Sequence, residues 1–174
     1  MACRSVVALT ATAIVVSMEA HAQTTQQPGR VPRWPCVLVV ESPLREVLDN
    51  AWDRSPTFRR QCDELAAAHA VVVLQWGDTD SLSRAKTRMQ RRDGVIVAMV
   101  SVPTGSDTVE LVAHELHHVL EKVRGLDHKA EARKPRSGVW QSDGGHEVYE
   151  TQAAIDAGRQ VAKELTVSSS SRRQ

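Results

Sequence analysis

The segment from Val109 to Leu120 constrains the fold of this 174-residue chain more than any other segment. It contains two histidines four residues apart, His114 and His118, with Glu115 directly after the first. On an α-helix this spacing stacks both imidazoles on one face, where they can bind a single metal ion. Glu115 would then lie close enough to take a proton from a water molecule at that ion. The H-E-x-x-H spacing therefore predicts a zinc site, provided that the segment is a helix.

The flanking residues predict such a helix over 107–124. Asp107 followed by Glu110 is a capping pattern, and Gly125 stands where a helix-ending glycine is expected. An apolar stripe at helical spacing lies on the side opposite the two histidines. Its members are Val109, Val112, Ala113, Leu116, Val119, Leu120 and Val123. We expect the stripe to face the core and both histidines to face a cleft.

A catalytic zinc ion usually takes three protein ligands, so a third one is expected. The candidates are His128, His146, Glu147 and Glu150. On a helix predicted over about 145–165, the apolar stripe extended backwards reaches Glu150. A carboxylate on such a stripe is costly unless it has a partner, which favours Glu150. Glu147 has another use as a first-turn acid that suits the helix dipole, and it stays open together with the two histidines.

H-E-x-x-H on one helix, followed 32 residues after His118 by a glutamate on a second helix, resembles the gluzincin metallopeptidases, the family of thermolysin. The resemblance covers roughly residues 93–165 and implies a minimal, zincin-like catalytic core. It implies that His114, His118 and Glu150 bind zinc, and that Glu115 is the general base in the hydrolysis of a peptide or protein substrate.

Two other families with the same motif do not fit. A metzincin would need glycine and histidine where this chain has Glu121 and Arg124. A peptide deformylase would need an upstream E-G-C-L-S segment, which the chain lacks. A different class stays open, a non-catalytic extracytoplasmic module that binds zinc or a protein partner, because so short a chain leaves little room for a deep substrate cleft.

The remaining patterns predict a small α+β domain over residues 36–166. Two apolar runs predict strands, at 70–76 and 95–102, and a third at 36–40 predicts either a strand or a packed lead-in. Two Ser-Pro pairs predict helix starts, at Ser42 and Ser55. Residues 78–92 are rich in basic side chains and predict a basic amphipathic helix or a loop. We expect a short few-stranded sheet packed on the H-E-x-x-H helix, with the third ligand on a C-terminal helix. We also expect strand 95–102 to bind the substrate backbone.

Residues 1–22 predict a cleavable signal peptide. Arg4 precedes an apolar run, and Ala20-His21-Ala22 forms the A-x-A pattern of a cleavage site after Ala22. A retained anchor helix is the alternative, but the run is shorter than the roughly 20 residues that a membrane span needs, which favours cleavage and no stable span. Residues 23–35 predict a flexible linker, and residues 167–174 predict a disordered tail. We therefore expect a secreted or periplasmic protein.

Export would change which cysteines are present and whether they can form a disulfide. Loss of the signal peptide removes Cys3 and leaves Cys36 and Cys62, an even pair in an oxidising compartment. A disulfide between them would stabilise the fold by roughly 3 kcal/mol in the chain-entropy model. Two separate buried thiols are the alternative.

The charge balance excludes one class of partner. With 22 Lys and Arg against 21 Asp and Glu, the formal net charge is +1. There is no basic excess to bind phosphates, so nucleic acid is not an expected partner.

Overall fold

The computed structural model describes residues 34–39, 42–77, 85–142 and 148–170. All of them fall in one compact unit that spans Pro32–Gln174. The signal peptide predicted for residues 1–22 and most of the linker predicted for residues 23–35 lie outside the described residues.

A four-stranded sheet forms the centre of the unit. Its strands are β1 (Val37–Val39), β2 (Val71–Trp76), β3 (Lys86–Arg92) and β4 (Val95–Val102), and their order across the sheet is β1-β2-β4-β3. β1, β2 and β4 run parallel, whereas β3 is antiparallel to β4. The strands predicted at 70–76 and 95–102 are therefore confirmed, and the run 36–40 is a strand rather than a packed lead-in.

β3 is a strand where the sequence predicted a basic amphipathic helix or a loop, so that prediction is wrong for residues 86–92; residues 78–84 lie outside the described part. Asp93 and Gly94 have φ values of 48° and 84°. Positive φ at both positions is typical of a two-residue type I′ hairpin turn. The turn brings β3 against the apolar β4, and this pairing overrides the weak strand preference of basic residues.

The hairpin also changes which strand offers a free edge. β4 pairs with β2 along one side and with β3 along the other. Both of its edges are used, so the prediction that 95–102 binds a substrate backbone is wrong. Among the described strands, β3 is the edge of the sheet on this side.

Helices cover one face of the sheet. Those in the described residues are α1 (Ser42–Arg54), α2 (Pro56–Ala67), α3 (Thr108–Val123), α4 (His128–Glu131) and α5 (Gln152–Ser170). α1 and α2 begin at the predicted Ser-Pro pairs, and the Ser55 hydroxyl accepts a 3.0 Å hydrogen bond from the Phe58 amide. This is the N-cap that the pattern predicts.

α3 is the predicted H-E-x-x-H helix. Its end is stabilised as expected, because Gly125 has a φ of 80° and the Leu126 amide donates to the Glu121 carbonyl at 2.9 Å. Its start differs, since Asp107 makes no side-chain cap hydrogen bond. The Thr108 hydroxyl instead donates to the Gly105 carbonyl at 2.8 Å.

The apolar stripe of α3 packs on the sheet. Val112, Leu116 and Val119 are fully buried, as are Val100 and Val102 on β4. α3 contacts both β4 and β3. Each such aliphatic side chain contributes about 1.5–3 kcal/mol when it leaves water. The predicted α+β class, with a small sheet packed on the H-E-x-x-H helix, is confirmed.

The C-terminal helix begins later than predicted. A short antiparallel hairpin, β5 (Val139–Gln141) with β6 (Tyr149–Thr151), precedes α5, and Glu150 lies on β6 opposite Trp140. The prediction that the third ligand lies on this helix is therefore wrong. The Thr151 hydroxyl accepts a 3.0 Å hydrogen bond from the Ala154 amide, and this cap starts the helix at Gln152.

The same helix ends later than predicted. It continues to Ser170, so the disordered tail predicted for residues 167–174 is wrong for 167–170; residues 171–174 lie outside the described part. Neither proline nor glycine occurs between Arg159 and Ser170, so no residue in this stretch breaks the helix.

Cys36 and Cys62 are both buried, and their sulfur atoms lie at disulfide distance, with Cα atoms 4.9 Å apart. The predicted pair is thus brought together, linking the residue before β1 to α2. None of the helices in the described residues has the length and apolarity needed to cross a bilayer.

The close approach of α5 to α3 can be tested at Gly158. A Cβ there would lie 2.7 Å from the Glu110 carbonyl oxygen and 3.3 Å from the His114 Cβ. In an open helix Gly→Ala stabilises by up to about 1 kcal/mol. Here we expect Gly158→Ala to lower the free energy of unfolding by about 1–3 kcal/mol, because the helices must separate. Urea unfolding measures this, and stabilisation by Gly158→Ala would contradict the close approach.

Candidate metal centre

Three ligand atoms from α3 and β6 meet at one point. The Nε2 atoms of His114 and His118 lie 3.1 Å apart, and Glu150 Oε1 lies 3.2 Å from the first and 2.8 Å from the second. Ligands of a tetrahedral zinc ion, each about 2.0–2.1 Å from the metal, are about 3.3 Å from one another. Two imidazole nitrogens and one carboxylate oxygen at this spacing fit the donor set of a catalytic zinc site.

The local fold explains why these three side chains meet. The four-residue spacing places His114 above His118 on one face of α3. Glu150 reaches them because β6 leads directly into α5, which packs closely along α3 at Gly158. The absence of a side chain at Gly158 therefore lets β6 bring its carboxylate to the histidines.

The cluster is half-open to solvent. The side chain of His118 is 9% exposed, that of His114 is 15% exposed and that of Glu150 is 29% exposed. A structural zinc site is closed by four protein ligands, whereas a catalytic site keeps one position open. Among the described residues, three donors with access from the Glu150 side match the second arrangement.

The other candidates for the third ligand do not join the cluster or lie outside the described residues. His128 Nε2 lies 2.9 Å from Glu121 Oε2, on the far side of His118 from Glu150. His146 and Glu147 belong to the segment 143–147, which is outside the described residues. Glu150 is thus the candidate that the structure brings to both motif histidines.

Glu115 is buried between α3 and β3. Its carboxylate accepts a 2.5 Å hydrogen bond from the Thr87 hydroxyl, and the residue is 6% exposed. Burial raises the pKa of Glu115 above its usual value, although the hydrogen bond from Thr87 opposes this. The charges of His118, His114 and Glu150 also act on it, which places Glu115 within electrostatic reach of the cluster.

The electrostatics of the cluster favour positive charge between Glu121 and Glu150. Burial lowers the pKa of His118, but its hydrogen bonds to these two carboxylates outweigh burial and raise the pKa to about 9. Burial raises the pKa of Glu150, but the bonds to His114 and His118 hold it well below the usual range. A proton and a metal cation would compete for the same nitrogen.

Sequence reasoning missed three side chains around the site, which are Thr87, Glu121 and Thr151. Glu121 entered only as the residue that excludes a metzincin. It lies three residues after His118 and therefore on the same side of α3, which is a spacing that the sequence does show. Thr87 was missed because residues 86–92 were not predicted to be a strand, and Thr151 was missed because the last helix was predicted to start too early.

Comparisons with protein-family models, with curated proteins and with solved structures give no match for this chain. The functional assignment therefore rests on the geometry of the site.

Removal of the Glu150 carboxylate tests the third ligand. We expect Glu150→Ala to weaken zinc binding by more than the roughly 10–100-fold that loss of an outer-shell partner costs. The dissociation constant is measured by competition with a chromophoric chelator. Glu147→Ala is the matched control and should bind zinc like the wild type. If Glu147→Ala lost zinc binding while Glu150→Ala bound zinc normally, the third ligand would be Glu147 and the assignment of Glu150 would be wrong.

Proposed function

We propose that this protein is an extracytoplasmic zinc-dependent peptidase. The observation that carries the proposal is the convergence of His114, His118 and Glu150 at ligand spacing, with Glu115 buried on the same helix. Three protein donors and a neighbouring carboxylate are the groups that metal-assisted hydrolysis needs.

When bound, a zinc ion supplies a Lewis acid that polarises a carbonyl oxygen and makes water easier to deprotonate. His114, His118 and Glu150 would hold it. Glu115 is the general base in this proposal, since it takes a proton from the attacking water and passes it to the leaving amine. Its contact with Thr87 fixes the carboxylate, and its burial excludes bulk water from the proton transfer.

The substrate backbone is proposed to lie along β3. Thr87 joins this strand to Glu115, so the edge of the sheet passes beside the base. An extended peptide can add to a sheet edge through main-chain hydrogen bonds, which aligns it without regard to its side chains. β4 cannot take this role because both of its edges are paired.

The location outside the cytoplasm is supported by the cysteine pair. Cys36 and Cys62 lie at disulfide distance, and disulfides persist in oxidising compartments. A signal peptide over residues 1–22, cut after Ala22, is the proposed route of export.

Glu115→Gln separates catalysis from metal binding. We expect hydrolysis of a denatured protein or a peptide library to fall by at least about 100- to 10,000-fold, because the general base is lost. Zinc binding should persist, because the three ligands are untouched. Glu64→Gln on the exposed side of α2 is the control and should keep full activity.

Two outcomes would contradict different parts of the proposal, the role of Glu115 and the catalytic activity itself. An active Glu115→Gln enzyme would show that Glu115 is not the base. A wild-type protein that binds one zinc ion but hydrolyses no peptide would instead be the non-catalytic zinc-binding module.

A further inference from the structure

A buried carboxylate behind the candidate ligands accepts hydrogen bonds from three sides. Glu121 is 5% exposed. Its Oε2 lies 2.9 Å from His118 Nδ1 and 2.9 Å from His128 Nε2, while its Oε1 accepts from the Thr151 hydroxyl at 2.6 Å. These contacts join α3, α4 and β6 at one side chain.

We propose that Glu121 is a positioning residue that presents two of the three ligands to the metal. It orients the His118 ring and, through Thr151, fixes the strand residue next to Glu150. This inference rests on the proposed zinc site.

The argument for His118 follows from proton counting. A neutral imidazole carries one N–H, and an ionised carboxylate can only accept. When a metal takes the place of the proton on Nε2, His118 is neutral and its single N–H is the one that Nδ1 donates to Glu121 Oε2. Its Nε2 then faces the point where Glu150 Oε1 and His114 Nε2 meet. A metal-binding histidine whose other nitrogen is fixed by a carboxylate is oriented before the metal arrives.

The argument for Glu150 follows from chain connectivity. Thr151 is 2% exposed, and its hydroxyl donates to Glu121 while accepting from the Ala154 amide. The residue is thus fixed to α3 and to the first turn of α5 at once. Glu150 directly precedes Thr151 in the chain. The backbone of Glu150 is therefore held at the distance from which the Glu150 carboxylate reaches both histidines.

His118, Glu121 and His128 could themselves be taken for a second metal site. The geometry favours hydrogen bonding instead. His118 would have to give both nitrogens to metals, and both oxygens of Glu121 already accept from proton donors. We therefore expect one zinc ion per chain.

NMR of the wild-type protein loaded with zinc tests the inference directly. The ring of His118 should bind the metal through Nε2 and carry a slowly exchanging proton on Nδ1, identified by ¹⁵N shifts of histidine-labelled protein. Binding through Nδ1, or two zinc ions per chain by mass spectrometry, would overturn the inference. This measurement does not depend on whether any variant folds.

Variants add a quantitative test. Glu121→Gln keeps the size of the side chain and should weaken zinc binding by roughly 10–100-fold and remove the slow Nδ1 proton. Thr151→Val should weaken binding through Glu150 but keep that proton. Glu64→Gln removes an exposed carboxylate that pairs with Arg124 and should bind zinc like the wild type.

Each result has one meaning. Wild-type zinc affinity in Glu121→Gln, with the same His118 ring signals, would overturn the inference. Absence of zinc binding in the wild type would instead remove the proposed function, whatever the variants do.

A separate observation on β3 bears on the substrate. Of its seven residues, four are Lys or Arg and none is acidic. Lys86, Arg88 and Gln90 are exposed and share one face, while Thr87 and Met89 are half-buried on the other. A strand added to this edge would place alternate side chains opposite the exposed basic residues.

We propose that the peptide bound along β3 is acidic on the face opposite Arg88. This inference rests on the proposed peptidase activity. Opposite charges on adjacent strands attract, and like charges repel, so cationic peptides are disfavoured at the same positions. The interaction is exposed and therefore decreases with salt.

Two peptides of equal length, with Glu or Lys at alternate positions, test this preference. We expect kcat/KM to favour the Glu peptide by about 2- to 5-fold for each pair of opposite charges, and more at low salt. Arg88→Glu should reduce or reverse the preference, whereas Arg159→Glu on the exposed face of α5 should not. Equal cleavage of both peptides would overturn the inference. Cleavage of neither would count against the peptidase activity itself.

Discussion

The negative charge gathered around two imidazoles is the constraint on which the site depends. Glu115, Glu121 and Glu150 surround His114 and His118, and the first two are almost fully buried. Two unit charges 4 Å apart repel by about 4 kcal/mol at an effective dielectric constant of 20. Three carboxylates are stable there only with positive charge between them, which the cluster obtains either by protonating His118 or by binding a cation.

The aliphatic side of α3 makes this charge tolerable. Val112, Leu116 and Val119 are fully buried on the sheet, so the helix is held by packing that does not involve the charged face. Gly158 then lets α5 approach the other side of α3 without a side chain in between. α5 and β6 thereby enclose the charged face of α3, and Glu150 reaches it. The free energy that holds α3 in place comes from burial of the apolar side chains on the opposite side of the helix.

Much of the fold and of the site could be predicted because the signals were local. The spacing of His114 and His118, the apolar stripe and Gly125 all lie within one helix. That the basic residues before Asp93 form a strand could not be predicted, because they adopt this structure only through pairing with β4. Glu150 was chosen for its apolar neighbours and is brought to the histidines, yet it lies on a strand. Its pairing with Trp140 across the β5–β6 hairpin and the cap at Thr151 depend on contacts that no local pattern contains.

The hydroxyl of Thr151 gives the hydrogen bonds around the site a direction. It accepts a hydrogen bond from the Ala154 amide and donates one to Glu121, which in turn accepts one from His118. The first amides of a helix carry the positive end of its dipole, and bonds in such a chain polarise one another. The first turn of α5 is therefore linked to the imidazole of His118 on α3 through the side chains of Thr151 and Glu121. A substitution that displaces the Ala154 amide would therefore reach the His118 ring through this chain of hydrogen bonds without altering a candidate ligand.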